Sequence, residues 1–347
     1  MSYQRDFDKE NRIPVAIIGA GSHAYRNILP VMNHLPVQIV AICDINANLA
    51  SLAAEQYGCK FYTSTAELYS KEPDVAAVFI SVSPKAHPRL IEEALCANRH
   101  VWVEKPLATR AFQVEDLIKN RGDRVVVVGL KKAFTPAAIK AKEFASSEKY
   151  GGLRSILATY HMTLPKNGED VLNAADPPNW LLNGVHPLSF LCEVGGKVSE
   201  VVSYTNSAGY GAVLLRYASG VMGTLHLSSG PMPSAERYDL YADSWEMCIL
   251  NHKIEVRRGI PFEYGKTTTY APEGDDSGSI VWRAENNLST LENKAIFTQG
   301  IYNECRYFCD CILDGIKPTT GSLEQALEIM KIYEAALVSQ GKPVLIS

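Results

Sequence analysis

The stretch Pro14-Val15-Ala16-Ile17-Ile18-Gly19-Ala20-Gly21-Ser22-His23-Ala24 decides the fold. Its apolar run reads as a buried strand, its glycines as a tight turn, and HAYRNILPVMNHL (23–35) as the helix that follows. Such a turn lets backbone approach an anion closely, and the helix N-terminus behind it offers unpaired N–H groups. The arrangement therefore suits a dinucleotide pyrophosphate. Gly19, Gly21, Ser22, His23 and Ala24 are candidate cofactor-binding residues, with Ala24 where the fingerprint's third glycine falls. Asp44 closes the next β-rich run and lies 23 residues past Gly21, near the ~20 expected of a ribose-binding acid. A carboxylate there accepts a ribose 2′-hydroxyl and repels a 2′-phosphate, and Ile45-Asn46-Ala47-Asn48 supplies no cation to offset it. NAD is the expected cofactor, with NADP the alternative.

Working outward, apolar runs alternate with helix-like segments. VQIVAICDI (37–45), VAAVFISVS (75–83), HVWVEKP (100–106) and RVVVVGL (124–130) read as strands. NANLASLAAEQYG (46–58), PRLIEEALCANR (88–99) and AFQVEDLIKNRG (111–122) read as helices between them. Continuous apolar strands separated by helices predict a doubly wound parallel sheet covered on both faces. After about residue 130 the pattern changes. A helix over 135–148 precedes LRSILATYHM (153–162), VSEVVSYTN (198–206), GAVLLRYASG (211–220), VMGTLHLSS (221–229), RYDLYAD (237–243), WEMCIL (245–250) and KIEVRRG (253–259). Their alternation predicts a mostly antiparallel, open-faced sheet, and the tail reads as two amphipathic helices. The fold class expected is α/β: a Rossmann domain over 1–130, with a loose arm over 1–12, and an α+β substrate and oligomerisation domain over 131–347. Residues 265–285, rich in Gly, Asp, Ser and Thr, are expected to form a surface loop or to be partly disordered.

Composition sets outer limits. The chain has 347 residues, 46% hydrophobic and 21% charged, with a net charge of −4. That balance gives no bulk attraction to nucleic acid or anionic membranes. No apolar run approaches the ~20 residues of a membrane span, and the polar start lacks the pattern of a secretory signal. The eight cysteines include no Cys-x-x-Cys pair, and no histidines complete a zinc site around Cys305 and Cys309. No metal is expected, and the thiols fit a reduced cytoplasm.

Val103-Glu104-Lys105-Pro106 ends the fourth of these strands, on the side where doubly wound sheets bind ligands. A partly desolvated lysine there suits proton transfer to or from a substrate oxygen, and Glu104 is placed to orient it. With these residues in view, the chain resembles the glucose–fructose oxidoreductase/inositol dehydrogenase (Gfo/Idh/MocA) family. The matching stretches are IIGAGSHA (17–24), ISVSPKAHPRLIEEALCANRHVWVEKPLA (80–108), VVVVGLKKAFTPAAIKAKEF (125–144) with YGGLRSI (150–156), and the C-terminal helices through SQGKPVLIS (339–347).

The resemblance implies an NAD(P)-dependent dehydrogenase or reductase acting on a secondary alcohol of a sugar, cyclitol or sugar derivative. It implies that Ser83, Pro84 and His87 lie along the cofactor crevice and that Lys105 is the catalytic lysine. It further implies that His186 is the catalytic histidine, and that a homodimer or homotetramer forms through the open sheet face. The family's Asp-x-x-x-His pattern is broken here, because Leu182 stands at the acid position. Asn183, Asp176 or Asn179 are the nearby substitutes. His161, Trp180 and Asn183 are candidate substrate contacts, with strand alternation placing Tyr160 opposite His161. Lys131 and Lys132 are candidates for cofactor or anion contact. The resemblance leaves two other readings open: an enzyme that oxidises its substrate only transiently so that an adjacent bond can be cleaved, and, with the acid lost, a non-catalytic regulator that senses cofactor.

Overall fold

The computed structural model describes residues 12–147, 152–174, 176–228, 236–258, 265, 278–284 and 295–346. Residues 1–11 of the arm expected over 1–12 lie outside these residues, as does most of the expected loop over 265–285. They fall into two compact units, one from Met1–Phe134 and Gln299–Met330, the other from Thr135–Thr298 and Lys331–Ser347. The helix Ile301–Leu313 therefore belongs with the parallel sheet, a correction to an expectation that kept all of 131–347 together. Linear sequence carries no mark of such a return, because an amphipathic helix shows its apolar stripe but not the surface that receives it.

The first unit is built on β1 (Ile13–Ile18), β2 (Val37–Cys43), β3 (Lys60–Tyr62), β4 (Ala77–Ile80), β5 (His100–Glu104) and β6 (Val126–Gly129). All pairs are parallel, in the order β3-β2-β1-β4-β5-β6. The apolar runs are covered on both faces: Val15, Ala16 and Ile17 of β1 and Val126, Val127 and Val128 of β6 are fully buried. Each of these valines and isoleucines contributes roughly 1.5–3 kcal/mol relative to exposure. Local chemistry sets the helix ends. Asn46 caps the helix Ala47–Tyr57 by accepting the N–H groups of Asn48 and Leu49, and Gly58, at φ 64°, ends it in the left-handed conformation. The short edge strand β3 and the helix Thr65–Lys71 escape sequence reading because neither has enough apolar positions to show a period.

The second unit holds a nine-stranded sheet. Its strands are β7 (Leu153–His161), β8 (Val198–Thr205), β9 (Gly211–Tyr217), β10 (Met222–Ser228), β11 (Arg237–Ala242), β12 (Trp245–Leu250), β13 (Lys253–Arg258), β14 (Gly278–Arg283) and β15 (Val344–Leu345). The order is β14-β13-β12-β11-β7-β10-β9-β8-β15, antiparallel except where β7 pairs with β10. Strand β14 corrects part of the expected loop: Ser-Ile-Val-Trp at 279–282 pairs with β13 despite its polar surroundings.

One face of this sheet is apolar and buried through Ile156, Ala158, Leu225, Leu227, Tyr238 and Leu240. The helix Asn179–Gly195 packs on β7 and β10. Its Phe190 stacks on Tyr238 with ring centroids 3.9 Å apart. The alternate positions, Leu157, Met222 and Tyr241 among them, are exposed. No described helix is long and apolar enough to cross a membrane.

Candidate functional site

The glycine turn sits where the order of the parallel sheet reverses, with β2 on one side of β1 and β4 on the other. Ligands of doubly wound sheets bind at such a point, beyond the carboxyl ends of the strands. Gly19 has φ 98°, and a Cβ there would lie 2.2 Å from the carbonyl oxygen of Ser81 on the neighbouring chain. Only glycine fits. Gly21 differs, since a Cβ there would meet nothing within 4 Å. Its surface is bare toward the cleft, which is the room a pyrophosphate needs. The helix behind the turn begins at Ser22-His23, widens into a π-turn over Ala24–Ile28 and closes as Leu29–Met32.

A cleft of about 520 Å³ opens here. Gly19, Gly21, Asp44, Ser81 and Ser83 line it, with Thr63, Ser64, Thr65 and Arg89 on its far wall. Asp44 accepts the N–H of Ala20 at Oδ2 (2.8 Å) and the N–H of Asn46 at Oδ1 (2.9 Å). The carboxylate therefore clamps the glycine turn to the end of β2 and keeps lone pairs for ribose hydroxyls. Arg89, more than forty residues past Asp44 in sequence, brings a cation to the cleft that residues 45–48 lack. It pairs with Glu93 one turn on, and Glu93 also accepts from Thr65 Oγ1 at 2.7 Å. The residues present thus fit a dinucleotide: a bare glycine cradle, a helix start and an acid at the ribose position.

His87, expected along this crevice, is instead fully buried, with Nδ1 2.8 Å from the carbonyl oxygen of Pro106. It holds the loop after Lys105 from beneath, and burial pulls its imidazole below the usual value. Pro84 opens the short 3₁₀ turn Pro84–Ala86 that leads into the helix His87–Cys96.

Glu104 and Lys105 stand at the carboxyl end of β5. Glu104 Oε2 lies 3.4 Å from His23 Nε2, which joins the EKP segment to the glycine-turn helix. Gly129 makes room for that carboxylate, since a Cβ there would come within 3.1 Å of Glu104 Oε2 and 2.8 Å of the Trp102 ring. Burial pulls Lys105 below the usual lysine range, and nearby Lys131 adds to this while Glu104 and Glu304 oppose it. Glu304, on the helix Ile301–Leu313, is 1% exposed and escaped the sequence reading altogether. The polar residue on the helix's buried stripe was the one available signal.

In the second unit His186 is buried on the helix Asn179–Gly195, one turn after Leu182. Asn183 is exposed and its amide donates to Asn179 Oδ1; Asp176 is exposed ahead of the helix. Trp180 is a core residue. It is 1% exposed, its indole N–H donates to the Tyr333 carbonyl at 3.2 Å, and Gly184 lies against its ring. The expectation that it stacks on substrate is corrected. Along β7 the side chains alternate, and His161 Nδ1 is buried. Tyr160 shares the helix-covered face with Ile156 and Ala158, whereas His161 shares the open face with Leu157. Among the described residues no group of three or more His, Cys, Asp or Glu side chains converges to hold a metal.

Comparison with known proteins agrees with this geometry. Residues 13–141 match the GFO_IDH_MocA family, described as an oxidoreductase family with an NAD-binding Rossmann fold. That match spans the six-stranded parallel sheet of the first unit and ends in the helix Pro136–Ala145. The chain is 28% identical over 185 residues to inositol 2-dehydrogenase of Salmonella typhimurium, covering 49% of this chain and 55% of that protein. It is 27% identical over 179 residues to dTDP-3,4-didehydro-2,6-dideoxy-alpha-D-glucose 3-reductase of Streptomyces violaceoruber, covering 50% and 52%. The chain thus matches about half the length of these relatives. The fold extends further: levoglucosan dehydrogenase in complex with NADH and L-sorbose superposes with a TM-score of 0.78 at 17% identity, over 97% of this chain and 99% of that one. The matched model is NAD-binding, so the cofactor expected at the glycine turn is NAD or NADP.

Proposed function

We propose that this chain is an NAD-dependent oxidoreductase that moves a hydride between the nicotinamide and a secondary alcohol or ketone of a sugar, cyclitol or sugar derivative. One observation carries the reading: a desolvated lysine, Lys105, stands at the carboxyl end of β5 in the same unit as a glycine cradle clamped by Asp44. The relatives that match the chain act on inositol and on a deoxysugar nucleotide, by their names.

The bound cofactor would supply a hydride acceptor or donor. The protein's residues do the rest. The turn Gly19–Gly21 and the helix start at Ser22 would receive the pyrophosphate, and Asp44 the adenosine ribose. Ser83 lines the cleft beside them. Lys105 takes the hydroxyl proton during oxidation and returns it during reduction, a task suited to a lysine held below its ordinary value by burial. Glu104, anchored toward His23, orients that end of β5. His186 is the acid–base candidate of the second unit, with Leu182 unable to tune it as a carboxylate would.

The open face of the nine-stranded sheet supports a homodimer or homotetramer, because exposed Leu157, Met222 and Tyr241 leave an apolar patch without cover. Eight free thiols suit a cytoplasmic setting. The test is cofactor reduction against a panel of sugars, cyclitols and nucleotide sugars, with Lys105→Met as blank. Turnover that survives in Lys105→Met removes Lys105 from the mechanism.

A further inference from the structure

The helix Ile301–Leu313 packs against β5, β6 and the 3₁₀ turn Lys131–Phe134, with Asn303 Nδ2 donating to the Phe134 carbonyl at 2.9 Å. Its apolar stripe runs through Ile301, Cys305, Phe308 and Cys309, and Phe308 meets Phe79 edge-on at 5.3 Å. One charged residue interrupts this stripe. Glu304 is 1% exposed, and its Oε2 is buried without a hydrogen-bond partner. A buried carboxyl group normally finds partners, because leaving one unmet costs roughly 1–3 kcal/mol. An alanine or leucine would fill the same stripe without that cost. The charged groups that reach Glu304 are Glu104 and Lys105 from the end of β5 and Lys131 from the 3₁₀ turn. Lys132 is the other titratable group on that turn, and His23 touches the cluster through Glu104. On β6 and on Leu29–Met32 no side chain titrates.

We propose that Glu304 is a positioning residue for Lys105, a buried carboxyl group whose charge is coupled to this lysine as it gains and loses the substrate proton. The inference rests on the oxidoreductase reading above. In the oxidation step the substrate C–H bond breaks and its hydrogen leaves with both electrons to the oxidised nicotinamide. The O–H proton goes to Lys105 Nζ as the carbonyl double bond forms. The substrate loses two electrons and the cofactor gains them. Lys105 then carries a new positive charge in a desolvated place, and the Glu304 carboxylate stabilises it. Reduction runs the same steps backward, with ammonium as the acid. Burial pushes Glu304 well above the usual carboxylate range while Lys131 and Lys105 pull it back, as expected where two groups titrate together.

The test reads the Lys105 titration itself, in full-length protein without substrate. Competitive acetic anhydride labelling over a pH series, followed at the Lys105 peptide by mass spectrometry, gives its midpoint. In Glu304→Gln the ammonium keeps Glu104 but loses its second counter-charge, so the midpoint falls by about half a pH unit or more. Glu304→Asp, with its carboxylate one methylene further away, falls by a smaller step. Affinity for NAD is unchanged in both, and carbonyl reduction near neutral pH drops in step with that shift in Glu304→Gln. An unchanged midpoint in folded Glu304→Gln, or Asp and Gln variants that behave alike, overturns the proposal. If Glu304→Gln does not fold, the Asp step alone decides, and no step overturns it. Because labelling needs no turnover, a midpoint shift without activity on any alcohol counts against the oxidoreductase reading and not against the coupling.

Discussion

Asp44 Oδ2 accepts the backbone N–H of Ala20 at 2.8 Å, so the acid of one strand holds the glycine turn of another. The same carboxylate is proposed to take the ribose hydroxyls. Removing it disturbs both the shape of the cradle and the contact that favours NAD. Asp44→Ala is expected to weaken NAD binding about 10- to 100-fold, the loss of one or two charge-assisted hydrogen bonds. NADP binding falls less, because a repulsive charge goes with the attractive one. Titration calorimetry with each cofactor measures both; equal losses for the two would contradict the assignment. Arg89 is paired with Glu93 on the cleft wall, so Arg89→Ala is expected to lower residual NADP binding and leave NAD binding within about twofold.

The two glycines of the turn separate stability from binding. Gly19→Ala forces a Cβ to 2.2 Å from the Ser81 carbonyl at φ 98°. It should cost at least about 1–3 kcal/mol and lower the melting temperature. Gly21→Ala meets no protein atom within 4 Å. It should melt close to wild type yet bind NAD more weakly, since its methyl group enters the space kept for the pyrophosphate. Differential scanning fluorimetry with and without NAD distinguishes them, and a Gly21→Ala protein with full affinity would place the pyrophosphate elsewhere.

Much of this was legible in the sequence, and for identifiable reasons. The strands of the first unit announce themselves because parallel strands buried on both faces are unbroken apolar runs. The spacing of Asp44 from Gly21 pointed to the glycine turn, and the carboxylate does hold that turn through Ala20. What local pattern does not carry is direction in three dimensions. His87 sits beside the crevice in sequence but turns beneath the Pro106 loop. Trp180 looked available for a sugar, yet Gly184 and Tyr333 enclose it. The helix Asn179–Gly195 runs through Pro187, a residue that sequence rules treat as a stop. Glu304 was invisible because its importance depends on a helix that returns, nearly two hundred residues later in the chain, to the sheet carrying Lys105.

Acid stability carries a signature of His100. Its Nδ1 accepts the N–H of Val125 at 2.9 Å, and burial, with help from Arg124, pulls its imidazole down from 6.5 to about 4. The unfolded chain gains a proton at His100 as pH falls through 6.5, while the folded chain does not until about 4. Stability held above the unfolded value is therefore lost across that window. The melting temperature of the wild type should decline from pH 6.5 toward 4, and His100→Gln, which keeps an acceptor but cannot titrate, should decline less. Parallel curves would assign the acid sensitivity to other groups.

The open sheet face makes a separate prediction. A charge at Leu157 or Met222, both 46% exposed, should break an interface formed there, whereas the fold, which does not bury them, should survive. Light scattering on Leu157→Glu and Met222→Glu is expected to show a smaller species than wild type, with an unchanged circular dichroism spectrum. An assembly that keeps its mass in both variants would move the interface off this face.

The most direct test of the central claim is nicotinamide absorbance during incubation of cofactor-stripped protein with NAD and, separately, NADP, against free sugars, cyclitols, sugar acids and nucleotide sugars. The account predicts reduction with a polyhydroxylated substrate carrying a secondary alcohol, faster with NAD, and at least about a hundredfold slower in Lys105→Met, in which NAD affinity is retained. Tight binding of NAD with no reduction on any member of the panel, or reduction undiminished in Lys105→Met, would contradict it.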